Sequence, residues 1–197
     1  MRTASIVAAA CAFGAATFAL TRDAHALGPV DVEVGARAGV GTNPVKVSGF
    51  PNPLGFGLGA RGGVSFLGFY GGVQLMYYFG GSNDVSAGGL QSFSVSTHTF
   101  MYGIEAGYGL TLIDVLTIRP QVGIGNANFS SSVSGTGLVN ASGSGGSTSN
   151  LYIEPGVTGL VSLGGWFVGA DANLLFFPGM DQSQTAFSLH GQIGLKF

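Results

Sequence analysis

Apolar and polar side chains alternate along most of the chain, with a period of two. This period places successive side chains on opposite faces of a β-strand. A strand that crosses a bilayer at a tilt needs about 9–11 residues, and each alternating segment is long enough. The pattern predicts eight strands, near residues 29–41, 54–66, 69–80, 97–111, 116–127, 150–162, 165–177 and 185–197.

The connections between these segments alternate in length. Those at 67–68, 112–115 and 163–164 are tight, whereas those at 42–53, 81–96, 128–149 and 178–184 are longer. This alternation is typical of an antiparallel up-and-down barrel with tight turns at one end and longer loops at the other. Residues 130–149 are rich in Ser and Gly, so we predict a mobile external loop that buries too little apolar surface to order itself.

The composition favours a membrane barrel over a soluble one. Mean hydropathy is positive and only 8% of residues are charged, against about 25% in an ordinary soluble domain. Glycine, at 36 of 197 residues, opposes helix throughout. Only helices and closed barrels satisfy the backbone in lipid, so the sequence predicts an all-β, eight-stranded antiparallel transmembrane barrel. A soluble lipocalin-like barrel is the alternative, but it would leave very few charges in its loops.

The charged residues of the predicted strands all fall on the polar face. No charge falls on an apolar face, which favours a lipid-facing exterior and a polar lumen. We predict that these side chains form a charge network in the lumen, with each charge needing a partner because it is poorly hydrated there. The predicted members are Asp31, Glu33, Arg37, Arg61, Glu105, Arg119, Glu154, Asp171, His190 and Lys196.

The N-terminal segment is typical of a secretory leader. A positive start at Arg2 precedes an apolar run, and Ala24 and Ala26 fit the small-x-small rule for cleavage before Leu27. A membrane-anchoring helix is the alternative, but the run is short for a span of ~20 residues. We therefore expect a signal peptide at 1–26 and a barrel domain at 27–197. Cys11, the single cysteine, lies in the leader.

The last predicted strand ends on an aromatic residue. Its apolar face contains Phe187, Leu189, Ile193, Leu195 and Phe197. Together with the leader, the eight strands and the alternating connections, this resembles the small outer-membrane barrels that include the OmpA membrane domain, OmpX and OmpW. The resemblance implies a monomer in the bacterial outer membrane, in contact with lipid and lipopolysaccharide. It also implies delivery by periplasmic chaperones and insertion by the barrel-assembly machinery, which reads the terminal strand.

Function is less constrained than fold. The first hypothesis is a non-enzymatic barrel with a plugged lumen and an envelope-structural or adhesive role, and the second is a transport channel for small or apolar solutes. A lipid-modifying enzyme is the third, because His98 and His190 lie near hydroxyl side chains. Neither histidine has an obvious carboxylate to orient it, although Glu154 is a candidate neighbour of His190. No catalytic residue, cofactor or nucleic-acid partner is predicted, and no His or Cys spacing predicts a metal site.

Overall fold

The computed structural model describes residues 30–44, 51–87, 91–113, 115–136, 141–180 and 184–197. These residues form ten strands and, within the described ranges, no helix long and apolar enough to cross a bilayer. The strands are β1 (Val30–Gly41), β2 (Phe56–Phe66), β3 (Phe69–Tyr78), β4 (Ser82–Ala87), β5 (Gln91–Tyr108), β6 (Leu110–Ile113), β7 (Leu116–Thr136), β8 (Ala141–Leu163), β9 (Trp166–Phe177) and β10 (Gln184–Lys196).

The sheet closes into an eight-stranded antiparallel barrel, as the sequence predicts. Neighbouring strands follow the order β5-β3-β2-β1-β10-β9-β8-β7, and pairing of β7 with β5 closes the ring. The two short strands are continuations of longer ones. β4 pairs with the same β5 as β3 does, and β6 pairs with the same β7 as β5 does. The first and last strands, β1 and β10, are joined from Glu33 and Lys196 to Gly41 and Ser188.

The predicted strand boundaries are close for β1, β2, β3, β9 and β10. The predicted connection at 81–96 is wrong, because it contains β4 and the first residues of β5. The predicted boundaries of β7 and β8 are also wrong. These strands have 21 and 23 residues, about twice the ~9–11 needed to cross a bilayer. The expected mobile loop at 130–149 is instead largely a β-hairpin, in which Ser130 pairs with Ser147 and Gly135 with Ala141. The loop prediction was wrong because it counted only apolar burial, whereas backbone pairing with β5 also orders this segment.

The barrel is inverted relative to a soluble protein. Its outer surface is apolar, with Ile104 61% exposed and Val73 57% exposed, whereas Arg37 is 3% and Asp171 1% exposed on the inside. The alternation of side chains along each strand produces the apolar outer face and the polar inner face together, because consecutive residues point to opposite sides of the barrel wall. The start of β1 and the end of β10 lie at the end of the barrel that has the short turns. In outer-membrane barrels the short turns are periplasmic.

Candidate functional site in the barrel lumen

The polar side chains that point inward form a network of several layers. The fully buried layer nearest the periplasmic end contains Glu33. Arg119 donates from Nη1 to Oε2 of Glu33 at 2.9 Å and from Nη2 to Oε1 at 2.7 Å. The guanidinium of Arg119 lies over the ring of Tyr70, 4.0 Å from its centroid. This bidentate pair and cation–π contact join β1, β7 and β3 across the lumen.

Two predicted members of the network, Asp31 and Lys196, pair with each other at the periplasmic mouth and lie outside its buried part. Lys196 Nζ is 3.0 Å from Asp31 Oδ2, and the two side chains are 30% and 45% exposed. Water screens a pair with this exposure, so it contributes little to stability. Asp31 and Lys196 therefore line the mouth, while the other eight predicted residues are buried.

The middle of the lumen is occupied by two arginines and two acids in alternation. Arg61 Nη2 lies 2.9 Å from Glu105 Oε1, and Tyr70 donates its hydroxyl to the same oxygen at 2.8 Å. Arg37 Nη2 lies 3.7 Å from Glu105 and 3.3 Å from Asp171. Glu105 and Asp171 therefore share Arg37, which ties β5 to β1 and β9 through the barrel interior.

Glu154 is connected to the network by an amide instead of an arginine. Gln74 donates from Nε2 to Glu154 Oε2 at 2.7 Å and to the hydroxyl of Tyr152 at 3.2 Å. The side-chain amide oxygen of Gln74, Oε1, accepts a short hydrogen bond from Arg37 Nη1. Among the described residues, no lysine or arginine nitrogen forms an ion pair within 4.0 Å of a Glu154 carboxylate oxygen.

His190 is oriented by Asp171, whereas the sequence suggested Glu154 as the nearest candidate. Its Nδ1 lies 2.8 Å from Asp171 Oδ1, and its Nε2 lies 2.7 Å from the hydroxyl oxygen of Tyr78. Asn173 donates to the same Asp171 oxygen at 2.7 Å. Glu154 does lie near His190, because both line the same small inner cavity. The hydrogen bond goes to Asp171 because β9 pairs directly with β10 at Asp171 and His190.

An apolar layer lies inside the barrel between this network and the external mouth. This layer was not predicted from the sequence, although parity alone places inside all of its members except Leu54, which precedes β2 and has the parity opposite to Arg61. Its members are Leu54, Met76, Tyr78, Met101, Ala127, Tyr152, Leu175, Phe177 and Ala186, all buried in one cluster.

The cavities along the barrel axis are separated by these layers. A polar cavity of about 110 Å³ opens beside Arg119 and Lys196 at the periplasmic end. An inner cavity of about 10 Å³ lies between Arg37, Tyr78 and Glu154, which is close to the minimum of ~10–15 Å³ for one water molecule. A third cavity of about 470 Å³ lies at the external mouth.

The apolar residues of β10 that were predicted as part of the assembly signal face away from the lumen. Phe187, Leu189 and Ile193 are 43%, 49% and 52% exposed on the lipid-facing side of β10, and Leu195 shares their parity. The predicted cleavage residues Ala24, Ala26 and Leu27 lie outside the described residues. His98 stacks against Tyr77, with ring centroids 5.9 Å apart. No cluster of three or more metal-ligating side chains occurs in the described part of the chain.

The comparisons with known proteins agree with this architecture. Residues 5–197 match the family model described as the outer membrane protein beta-barrel domain. The chain belongs to this family. It is therefore an outer-membrane β-barrel protein of the bacterial cell envelope. No curated protein is significantly similar to it in sequence.

Solved outer-membrane barrels share the fold at low sequence identity. A major outer membrane protein from Thermus thermophilus is similar with a TM-score of 0.61 and 15% identity, over 85% of this chain and 99% of that one. Neisserial surface protein A is similar with a TM-score of 0.50 and 13% identity, over 86% of this chain and 97% of that one. At these identities the likeness concerns the fold alone.

Proposed function

We propose that this outer-membrane barrel is non-enzymatic, that its lumen is closed, and that it serves an envelope-structural or adhesive role through its external end. The carrying observation is that the network from Glu33 to His190 crosses the lumen between opposing strands. Buried charges in such contacts are costly to separate, so the network resists opening. The apolar layer above it adds a second barrier to water and ions.

The internal side chains give little support to catalysis. Tyr78, His190 and Asp171 are in line as a hydroxyl, an imidazole and a carboxylate, which is the order of a nucleophile, a base and an orienting acid. However, the Tyr78 side chain is 1% exposed, and the adjacent cavity of about 10 Å³ has no room for a substrate. We therefore assign these three residues to closure of the lumen.

The partners follow from the same proposal. The apolar exterior fits outer-membrane lipid, and lipopolysaccharide would be its neighbour in the outer leaflet. Assembly would use periplasmic chaperones and the barrel-assembly machinery, with the protein acting as a monomer.

Conductance of the full-length protein in a planar bilayer tests the closed lumen. We expect no stable open channel from the wild-type protein. As a matched control, the triple variant Arg37→Ala, Tyr78→Ala, Tyr152→Ala removes one ion-pairing residue and two rings from the barrier and is expected to conduct. Each protein is first shown to be folded by its far-UV dichroism. A stable open channel from the wild type would overturn the proposal and favour solute transport.

A further inference from the structure

The external cavity is bounded by a part of the β7–β8 hairpin with irregular pairing. Ser130 pairs with Ser147 and Ser132 with Ser144, so β8 contains one extra residue at this point. Gly146, within the bulge, has a φ of +102°, which favours glycine. β-Bulges bend a strand and often lie beside functional sites, where they redirect side chains. Here the bulge lies in the wall of a cavity of about 470 Å³.

The floor of this cavity is apolar and closed. Phe129 and Met180 line it and pack against the apolar layer of the lumen. The ring of Phe129 meets that of Phe177 edge to face, with centroids 5.4 Å apart. The cavity is therefore a cup that rests on the barrier, and its volume lies within the range of roughly 300–1,000 Å³ that is common for ligand sites.

The walls of the cup are rich in hydrogen-bonding groups. Ser131, Thr148, Asn150 and Gln184 line it together with further hydroxyl and glycine residues, and among the described residues none of those that line it is charged. The Oε1 atom of Gln184 is buried without a hydrogen-bond partner among the described residues. Donors and acceptors around an apolar floor suit a ligand that has hydroxyl groups on its edges and an apolar C–H face.

The sequence of the segments around the external surface is also almost uncharged. In the sequence of the segments at the external end, 42–55, 79–98, 128–150 and 178–186, the only Lys, Arg, Asp or Glu residues are Lys46, Asp84 and Asp181. A phosphate or sulfate ligand requires arginine or lysine for tight binding. This surface therefore disfavours anionic ligands such as nucleic acids and sulfated glycans.

We propose that the cup formed by Phe129, Met180 and the bulged β7–β8 hairpin binds an uncharged sugar unit of an oligosaccharide. The apolar face of the sugar would pack on Phe129, while Thr148, Asn150 and Gln184 hydrogen bond its hydroxyl groups. This inference extends the adhesive part of the proposed function and rests on it. Its test does not measure channel conductance, so the two proposals can fail separately. A conducting barrel that binds sugar would overturn only the closed lumen, and a closed barrel that binds no sugar would overturn only the sugar site.

Calorimetric titration of the full-length protein in lipid nanodiscs tests the proposal. The probes are neutral di- to tetrasaccharides of glucose, galactose, mannose and N-acetylglucosamine, with heparin-derived oligosaccharides as the anionic comparison. We expect saturable binding of at least one neutral probe with a Kd below about 1 mM. Absence of neutral binding up to about 10 mM, or binding of the anionic probes alone, would overturn the proposal.

Two adjacent positions of β8 provide the matched variants. Thr148 lines the cup, whereas Ser149 follows it in the strand and points to the opposite face. Thr148→Trp fills the cup and should abolish binding, while Ser149→Trp should leave it unchanged. Phe129→Ala, which removes the stacking surface, should weaken binding about tenfold or more. If neutral sugar binds equally well to Thr148→Trp and Phe129→Ala, the site lies elsewhere and the proposal is wrong.

A competition experiment distinguishes two sources of the sugar, lipopolysaccharide of the same membrane and a foreign glycan. Nanodiscs that contain lipopolysaccharide with a neutral O-polysaccharide are compared with nanodiscs of phospholipid alone. Weaker apparent binding of the soluble probe in the first set identifies the neighbouring lipopolysaccharide as the source of the ligand. Equal binding in both sets identifies a foreign glycan.

Discussion

Arg119 donates two parallel hydrogen bonds to Glu33 across the periplasmic end of the barrel, at 2.9 and 2.7 Å. Both side chains are almost fully buried, with Glu33 1% and Arg119 3% exposed. The residues are 86 positions apart in sequence, so the pair joins strands on different parts of the wall. Because each charge is removed from bulk water, its partner is the main compensation for the lost hydration.

Removing one member of this pair is expected to destabilise the barrel sharply. Glu33→Ala leaves Arg119 uncompensated and should lower the free energy of unfolding by about 3–5 kcal/mol. Urea unfolding in lipid vesicles, followed by far-UV dichroism, measures the change. Asp31→Ala breaks the exposed pair with Lys196 and is the control, with an expected cost of about 0–1 kcal/mol. Equal costs for Glu33→Ala and Asp31→Ala would contradict the assignment of a buried ion pair.

Gly71 and Gly72 are adjacent in β3 but have opposite surroundings. A Cβ atom at Gly71 would have nothing within 4 Å, whereas one at Gly72 would lie 2.7 Å from the carbonyl oxygen of Gly62 and collide with the Tyr70 hydroxyl. Gly71→Ala should therefore raise the free energy of unfolding by up to ~1 kcal/mol through a less flexible unfolded chain. Gly72→Ala should lower it by about 1–3 kcal/mol. Similar effects of both variants in urea unfolding would count against close packing around Tyr70.

The parity of polar and apolar positions is sufficient to predict the barrel wall. Parity assigns every charged strand residue to the inner face, and Arg37, Glu105 and Asp171 are all buried there. Parity states which face a side chain occupies, but not which residue it meets across the lumen. That information depends on strand order and stagger, which is why His190 hydrogen bonds to Asp171 and not to Glu154.

Two features are hidden when each strand is considered singly. The apolar layer was missed because residues such as Met76 and Leu175 interrupt the polar face of their strands. In a single strand, one inward apolar residue looks like an exception. Only the alignment of neighbouring strands shows that several such residues lie at the same level of the barrel. The paired hairpin of β7 and β8 was missed because serine and glycine indicate loops by composition. Its order comes from hydrogen bonds to a neighbouring strand.

Phe197 closes the barrel with two backbone hydrogen bonds to Val32. Val32 N–H donates to the Phe197 carbonyl at 2.9 Å, and Phe197 N–H donates to the Val32 carbonyl at 3.0 Å. If the aromatic side chain is also the assembly signal, Phe197→Ala should reduce the amount of protein in the outer-membrane fraction even though these backbone bonds remain possible. Phe197→Tyr keeps the ring and should insert normally. Full insertion of Phe197→Ala, measured by immunoblot of membrane and periplasmic fractions, would assign the role to the backbone alone.

Glu105 and Glu154 are both buried carboxyl groups, but only one has arginine partners. Glu105 lies 2.9 Å from Arg61 and 3.7 Å from Arg37, whereas Glu154 accepts a hydrogen bond from Gln74 at 2.7 Å. Replacing a paired carboxylate by an amide leaves its arginines with less compensating charge. Replacing an unpaired one removes the cost of burying that charge and keeps an oxygen that can accept from Gln74.

The two conservative variants should therefore have different effects on stability. Glu105→Gln should lower the free energy of unfolding by about 3–5 kcal/mol, and Glu154→Gln should change it by less than about 1 kcal/mol or raise it. Urea unfolding at neutral pH in the same vesicles compares the two variants with the wild-type protein. Because both substitutions preserve size and remove one acidic group, side-chain volume cannot explain a difference between them. A larger loss for Glu154→Gln than for Glu105→Gln would show that the network is organised around Glu154, and that the arginines near Glu105 are compensated by other groups.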